Sequence, residues 1–469
     1  MSRHSNTATA GLLGPVSLCA AALLLAASPL MRGGNRHVAL IVLEALGLAL
    51  LAAVGFRPQA ASHTGGARWA DSIALWLLLL SPALLAIIYL VPLPLELWAV
   101  LPGRGIYPQA LRDAGVPAPA WLPLSVVPDA TLTSLLAGIP LVAAFVLGRA
   151  CTLPQLRRLA RIVVAMAFAQ VLLSLLQVGG DAQSALFFGA SGRRPIGTFA
   201  NSNHYANYVA MALTLYIWLA WDWLNTSPRA STSNGRQPDR AFRMAWVAGG
   251  LLLALGVLLS QSRGAVVTGL PIAAVGFGWL LISRRQGTYG TRGTAIVLVV
   301  AVLGLAAFIG LEVLLARFTA SELVNSASFR ALLTRSTLAG AAEFWPWGAG
   351  WGTFGVVYPR FQPPEIPGAA GHAHQDYAQM LFEGGLFAVT LMVAFLWLAL
   401  LRAVQLARTL AREHHIRPET IAAALCGLGL LGFLLHSLVE FNMHIPANAI
   451  LASLLAGVYL RPLADPVDP

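Results

Sequence analysis

The sequence predicts an all-α polytopic membrane protein. Of its 469 residues, 57% are hydrophobic and 10% are charged, whereas soluble domains carry roughly 25% charged residues. Apolar runs approaching the roughly 20 residues that a helix needs to cross a bilayer recur along the chain. No stretch has the composition of a separate soluble domain. We therefore expect residues 1–469 to form a single membrane-embedded domain.

About twelve hydrophobic segments are predicted as membrane helices. Their approximate bounds are 11–31, 37–55, 72–91, 131–148, 158–178, 204–222, 243–260, 264–283, 294–313, 375–401, 419–437 and 445–460. The first segment has few preceding positive charges and no convincing small-residue cleavage site, so it is interpreted as a membrane helix and not as a signal peptide. An even number of helices places both termini on the same side.

The arginines indicate which side that is. All 30 basic residues are arginine, and the net charge is +11. With cytoplasmic termini, most arginines fall in inside segments, as the positive-inside rule requires. The rule does not account for an outer minority, which includes Arg193, Arg194, Arg263, Arg317, Arg330, Arg335 and Arg360. Because no basic soluble face is apparent, membrane lipids are expected partners and nucleic acid is not.

Three long connections lie on the outer side in this topology, at about 92–130, 179–203 and 314–374. The first is rich in proline and tryptophan, which suits a segment lying along the membrane surface. The third is the largest. It has helical character up to about Ala342 and then an aromatic and glycine-rich run from Phe344 to Gly352. We expect it to form a large external loop region carrying short helices.

A polar cluster closes the third connection and opens a hydrophobic helix. His372 and His374 lie two residues apart, which brings their side chains together if the backbone is extended but not if it is helical. Asp376, Gln379 and Glu383 follow at helical spacing, as one polar stripe that should face a cavity or the bundle interior. The alternatives are histidines that solvate a helix end, or a zinc site. No further ligand at suitable spacing completes such a site, so no metal or cofactor is expected.

Arginines on the same face are candidates for binding an anion. Arg193 and Arg194 precede Pro195, which disfavours helix at the residue before it. Asn201 or Asn203 can then cap the next helix, so the arginine pair would lie beside a helix N-terminus, where anions bind. The alternative is an ordinary charged loop.

Arg263 lies between two apolar runs with almost no connecting loop, so it is expected at or just inside the outer interface. Burial without a partner would cost several kcal/mol, which predicts a phosphate or carboxylate partner; the alternative is a snorkelling arginine. A turn from His436 to Asn448 adds further polar side chains to the same face. Guanidinium and imidazole groups converging there would suit a pyrophosphate-bearing substrate, with a histidine as general base.

At these residues the chain resembles the O-antigen ligase and O-antigen polymerase-like integral membrane proteins. The pieces that carry the resemblance are Arg-Pro-x-Gly-Thr-Phe-x-Asn-x-Asn from Arg194, Ser262-Arg263-Gly264, Gly350-Trp351-Gly352-Thr353-Phe354, His372-Ala373-His374-Gln375-Asp376-Tyr377, Glu383-Gly384-Gly385, Val91-Pro92-Leu93-Pro94 and the His436 turn. They run in order from about residue 90 to 460. Relatives often carry Asn where this chain has Gln375.

The resemblance implies a metal-independent glycosyltransferase of the GT-C type. Such an enzyme takes a glycan from undecaprenyl diphosphate at the periplasmic face of the bacterial inner membrane. By the same resemblance, His374 is the base with His372 in support, and Arg194 and Arg263 bind the diphosphate. Charge and location alone add Arg193, Arg335 and Arg360 to the predicted donor site.

Three functions remain open at this point. A ligase would pass the glycan to lipid A-core, whereas a polymerase would pass it to another lipid-linked repeat; we favour the ligase. A lipid-linked oligosaccharide transporter also fits the helix number. A transporter should carry charged positions near the membrane midplane in both halves of the chain, whereas the unusual charges here gather at one face.

Overall fold

The computed structural model describes residues 14–55, 80–180, 184–188, 194–226, 240–283, 320–412 and 416–462, which are predominantly helical. Of the predicted membrane helices, 11–31 and 72–91 are described in part and 294–313 lies outside the described residues. Each of the others has a helical counterpart. The helices are α1 Pro15–Ala27, α2 Leu30–Gly33, α3 His37–Gly55, α4 Leu80–Leu90, α5 Leu95–Val100, α6 Ile106–Asp113, α7 Pro128–Ala150, α8 Leu153–Val178, α9 Ser202–Thr226, α10 Arg240–Leu259, α11 Arg263–Ser283, α12 Ala320–Glu343, α13 Phe354–Val357, α14 Asp376–Arg412, α15 Pro418–His436 and α16 Pro446–Tyr459.

Membrane-spanning character is clear in part of this set. Within the described ranges, 5 helices are long and apolar enough to cross a bilayer: α3, α7, α8, α14 and α15. Shorter apolar helices include α1, α4 and α16. These features agree with a polytopic membrane protein. The longest, α14, has many exposed apolar side chains, such as Val393, Trp397 and Leu400, as expected for a surface that faces lipid.

Helix α9 lies at the centre of the bundle. It packs against α8, α10, α11, α15 and α16, and its side chains from Tyr205 to Leu219 are almost all buried. His204 and Asn207 are buried polar residues near its N-terminus. That end of α9 leads into the candidate site.

Close packing of α7 and α16 depends on two glycines. A Cβ added at Gly148 would lie 2.4 Å from the Leu454 carbonyl oxygen, and one at Gly457 would lie 2.2 Å from the Phe145 carbonyl oxygen. Small residues allow helix backbones to approach in this way. Arginines fix the same end of the bundle, because Arg149 donates to the Leu460 carbonyl (2.6 Å) and Arg461 to the Gly148 carbonyl (2.6 Å).

Residues of the first and third predicted outer connections pack together in a second hydrophobic cluster. Strands β1 Pro92–Pro94 and β2 Trp121–Pro123 pair antiparallel, and the segment that they enclose carries α5 and α6. Arg104 fastens this segment to the third connection. It is fully buried between the rings of Trp98 and Phe344 and donates to the carbonyls of Leu124 and Gly348 (2.7 and 2.9 Å). These bonds satisfy a charge that would otherwise be costly to bury.

The third connection differs from the expected set of short helices, because α12 within it has 24 residues. The aromatic and glycine-rich run that follows α12 inserts where α14 is broken at Gly385 (φ 53°, ψ −134°). The Leu386 amide donates to the Pro346 carbonyl (2.8 Å), and the Gly350 amide donates to the Glu383 carbonyl (2.8 Å). A Cβ at Gly385 would lie 2.2 Å from the Pro346 oxygen, so only glycine fits.

Candidate functional site

The histidine pair lies on a tight turn at the start of α14. His374 has a left-handed backbone (φ 49°), and the helix begins two residues later, at Asp376, one residue from the predicted start at 375. The Asp376 amide donates to the Ser437 carbonyl (3.0 Å), and the Gln375 side chain accepts from the Ala378 amide. The turn is therefore fixed both by its own helix and by the end of α15.

Three histidine side chains pack against the ring of Phe441. His372 stacks on the face of its ring (centroid distance 4.3 Å, interplanar angle 13°), and His374 meets the ring at a right angle (4.7 Å, 90°). His204, on α9, also packs edge-on against Phe441 at 4.5 Å. Three histidines that are far apart in sequence thus share one aromatic residue. His372 and His374 thus pack on the same ring, as their proximity in a non-helical segment predicted.

The carboxylate of Glu440, the residue before Phe441, contacts two of these three histidines. Its carboxylate is 1% exposed, and Oε1 accepts from Arg330 Nη2 (2.8 Å) and Asn203 Nδ2 (2.5 Å). On the other side, Oε2 lies 3.3 Å from His374 Nδ1 and 3.6 Å from His204 Nε2. Burial alone would raise the pKa of Glu440, but the neighbouring His204 and His374 imidazoles hold it well below its usual value. The group is a buried carboxylate surrounded by donors.

An open cleft of about 320 Å³ lies above this carboxylate. One wall is a face of α12 formed by Arg330, Ala331, Thr334 and Arg335, four positions that helical spacing places side by side. The opposite wall carries His374, Gln375, Leu438 and Val439. The His374 side chain is 33% exposed, and its Nε2 atom makes no hydrogen bond to any of the described residues. One edge of the imidazole therefore contacts Glu440 while the other is accessible to a molecule in the cleft.

A second buried hydrogen-bond network supports the turn that carries His372 and His374. His444 Nδ1 lies 2.8 Å from Asp376 Oδ1, and the other ring nitrogen lies 3.1 Å from Gln379 Nε2. Gln379 accepts from the Ala373 amide (3.1 Å) and donates to Glu383 (3.1 Å). The stripe of Asp376, Gln379 and Glu383 is thus buried, in agreement with the sequence-based prediction. Because Gln379 binds the residue between His372 and His374, this network holds the histidine turn in place.

Glu383 extends the network to the glycine-rich loop. Its carboxylate accepts from the amides of Gly352 (2.9 Å) and Phe354 (3.2 Å). Two of the sequence motifs that carry the family resemblance therefore meet in space at this buried side chain. They form the support of the site and not its accessible surface.

The segment from Arg194 to Asn203 is held by two glutamines of α8. Gln177 accepts from the Ile196 and Gly197 amides (2.8 and 2.9 Å), and Gln170 accepts from the Thr198 amide (2.8 Å). The Asn201 side chain caps α9 by accepting from the Asn203 amide (2.8 Å), as its position in the sequence suggested. Asn203, in the first turn of α9, donates a hydrogen bond to Glu440, so this segment reaches the site.

The first turn of α11 also reaches the site. Gly264 packs against His436 and Val439: a Cβ there would lie 2.5 Å from His436 Nε2 and 3.3 Å from Val439 Cγ2. Val439 belongs to the cleft wall. Arg263, the first residue of α11, is consequently next to a residue that touches the cleft lining.

The predicted arginines have different locations. Arg335 is exposed and lines the cleft, whereas Arg194 and Arg263 are half-buried on segments that contact the site. Arg360 does not line the cleft: it pairs with Glu343 and lies 3.4 Å from the Gly103 carbonyl oxygen. Charge and sequence position could not reveal that acidic partner. Arg193 lies outside the described residues.

Sequence reasoning missed several members of the cluster. Arg330 was recognised only as one of the outer arginines, and Asn203 only as a possible helix cap. Glu440 lay within a turn recognised as polar, yet its role as the common partner of Arg330, Asn203 and His374 was not predicted. The available signal was a lone acidic residue within an otherwise apolar and amide-rich turn.

His372 makes the stability of the protein dependent on pH. Burial lowers its pKa to about 3, against about 6.5 in an unfolded chain. Above pH 6.5 neither state is protonated at this residue. As the pH falls from 6.5 towards 3, the unfolded state alone takes up the proton, so stability is lost by up to about 1.4 kcal/mol per pH unit.

We therefore expect a His372→Phe variant, which keeps an aromatic ring against Phe441, to lose less thermal stability than the wild type between pH 7 and pH 4.5. Melting temperatures in detergent would measure this difference. His37→Phe, at an exposed position, is the matched control. Equal acid sensitivity of wild type and His372→Phe would show that His372 is not held neutral by burial.

Comparison with known families matches residues 248–393 to the family model described as O-antigen ligase. The matched segment includes Arg263, Arg330, His372 and His374, and it ends before Glu440. This match confirms the resemblance for the motifs within it, from Ser262 to Gly385, and supports a membrane glycosyltransferase of the O-antigen ligase or polymerase type. The search of curated proteins gave no match.

Proposed function

We propose, with this family match as the premise, that the protein transfers a glycan from undecaprenyl diphosphate to lipid A-core at the periplasmic face of the bacterial inner membrane. The observation that carries the proposal is the His374–Glu440 pair beneath an open cleft with arginines on its opposite wall. A general base, an anion-binding wall and room for a substrate are the elements that such a transfer requires.

The proposed reaction begins with His374. Its Nδ1–H donates to Glu440, which selects the tautomer in which Nε2 is free to accept a proton. An acceptor hydroxyl loses its proton to Nε2 while its oxygen bonds to the anomeric carbon of the glycan. The bond from that carbon to the diphosphate oxygen breaks, and the diphosphate leaves with the electron pair. The buried carboxylate stabilises the imidazolium that forms.

Arginines would stabilise the departing diphosphate. Arg335 is given this role because it lines the cleft. Arg194 and Arg263 are given it because of the family resemblance and because other residues of the same segments contact the site. Arg193 and Arg360 stay predictions from sequence; Arg360 pairs with Glu343 and does not line the cleft. Guanidinium groups suit this role because they stay charged and bind phosphate oxygens in a bidentate manner. The reaction needs no cofactor.

A lipid-linked glycan polymerase is the second candidate, since it would use the same donor and the same base. The membrane-embedded GT-C type of architecture, with about twelve spans, is part of the proposal for either enzyme. A transporter is less well supported, because the buried charged cluster lies at the start of α14 and the end of α15. Neither position is at mid-span.

Product analysis tests the proposed function. The purified protein in liposomes would receive a radiolabelled undecaprenyl-diphosphate glycan with and without lipid A-core. We expect label on lipid A-core and free undecaprenyl diphosphate. Lengthened lipid-linked glycan that forms without lipid A-core would instead indicate the polymerase. Label that crosses the bilayer unchanged would indicate a transporter.

A further inference from the structure

Arg330 occupies the junction between the cleft and the buried carboxylate. Its guanidinium is 35% exposed and forms part of the α12 wall, while Nη2 donates to Glu440 at 2.8 Å. Guanidinium has five N–H donors, and this contact uses one of them. The side chain can therefore bind an anion in the cleft without first leaving Glu440.

The four partners of Glu440 fall into two classes. His204 is 3% exposed and Asn203 is half-buried in the first turn of α9, and neither lines the cleft. Arg330 and His374 are each about one-third exposed and lie on opposite walls of the cleft. They also bind different oxygens of the carboxylate, Arg330 at Oε1 and His374 at Oε2.

Charge links these two residues through Glu440. When Arg330 neutralises the carboxylate fully, Glu440 attracts a proton on His374 less strongly. An anion bound to the same Arg330 guanidinium reduces the neutralisation of Glu440. The carboxylate then stabilises the protonated imidazole of His374 more strongly. In a buried group such changes are screened less than they are in water. The base would thus become stronger when an anion is bound beside it.

We propose that Arg330 couples binding of the donor diphosphate to the basicity of His374 through Glu440. The inference rests on the proposed function. Arg330 contacts the anion and positions the charge of Glu440, whereas His374 takes the proton. Such coupling would keep the base weak until a donor is present, and a weak base gives little activation of water or other stray nucleophiles.

Inorganic pyrophosphate is the probe for the anion contact. We expect Arg330→Gln to raise the inhibition constant of pyrophosphate for glycan transfer roughly tenfold or more, with a smaller increase for Arg330→Lys. Arg112→Gln, on the exposed face of α6, is the matched control and should leave the constant unchanged. An unchanged constant in Arg330→Gln would overturn the anion contact.

The coupling is tested by a double-mutant cycle with Glu440→Gln. Removing Arg330 leaves Glu440 unneutralised, so Arg330→Gln should move the acid limb of the kcat/KM profile, which reports the donor-free enzyme, to higher pH. No such shift should occur in the Glu440→Gln background. A wild-type profile in Arg330→Gln, or the same shift in both backgrounds, would overturn the coupling.

A measurement that needs no catalysis separates the two proposals. Pyrophosphate should raise the melting temperature of the wild type and of Glu440→Gln, and this increase should be clearly smaller in Arg330→Gln at the same pyrophosphate concentration. An Arg330-dependent increase in a protein that transfers no glycan would refute the proposed reaction but support the anion contact. Glycan transfer without any Arg330-dependent increase would refute the role of Arg330 alone.

Discussion

Alanine at position 374 is expected to reduce glycan transfer by roughly 10²–10⁴-fold, the contribution typical of a positioned general base. The physical reason is the loss of the imidazole that contacts Glu440 at 3.3 Å on one edge and the cleft on the other. Folding should be affected little, because the side chain is one-third exposed. Initial rates with lipid-linked donor and lipid A-core, in liposomes, would measure the effect.

His37→Ala is the matched control, since His37 is an exposed histidine at the start of α3. Its rate should equal that of the wild type. A His374→Ala variant with a normal rate would remove His374 from the reaction. The donor KM should change less than kcat, because the base acts chiefly in the transition state.

Replacing Glu440 with glutamine is expected to give the second large loss, roughly 10²-fold or more in kcat. Glutamine keeps the shape of the side chain but removes the charge that would stabilise a protonated His374. It also presents an amide N–H₂ to groups that are themselves donors, so either Arg330 and Asn203 or the imidazoles lose their acceptor. Because Glu440 is 1% exposed, water cannot compensate.

The loss of these bonds should also lower the melting temperature, so activity must be compared at a temperature where both proteins are folded. Glu96→Gln changes an exposed carboxylate on α5 and should alter neither rate nor melting temperature, since exposed charges contribute little. A folded Glu440→Gln protein with the wild-type kcat would show that the carboxylate does not act on the base.

Much of the helical fold was predictable because hydrophobic run length is a strong local signal. The bounds predicted for the helices starting near residues 37 and 375 are within a few residues of α3 and α14 at their N-termini. Helical character up to about Ala342 was predicted and α12 ends at Glu343, but its length of 24 residues was not, since it lies in a segment that is less apolar than the predicted spans. The break of α14 at Gly385 was not predicted, because it depends on backbone contacts with the distant Pro346.

The candidate site was predictable in its residue types but not in its pairings. The motifs indicated His372, His374 and the buried stripe from Asp376 to Glu383. However, Glu440 is separated from His374 by 66 positions, and no local pattern specifies which polar turn meets which helix end. The same limit explains Arg330 and Arg360, because sequence position does not reveal whether a cleft or an acidic residue lies opposite an arginine.

Chemical rescue tests the central claim, that His374 is the base and Glu440 holds it, most directly. Glycan transfer would be measured with increasing imidazole for two proteins, the His374→Ala variant and the double variant that combines His374→Ala with Glu440→Gln. We expect imidazole to restore transfer in a saturable manner in the single variant, where Glu440 is present, and far less in the double variant. If imidazole restores no transfer, or restores it equally in both proteins, the proposed pair does not carry the reaction.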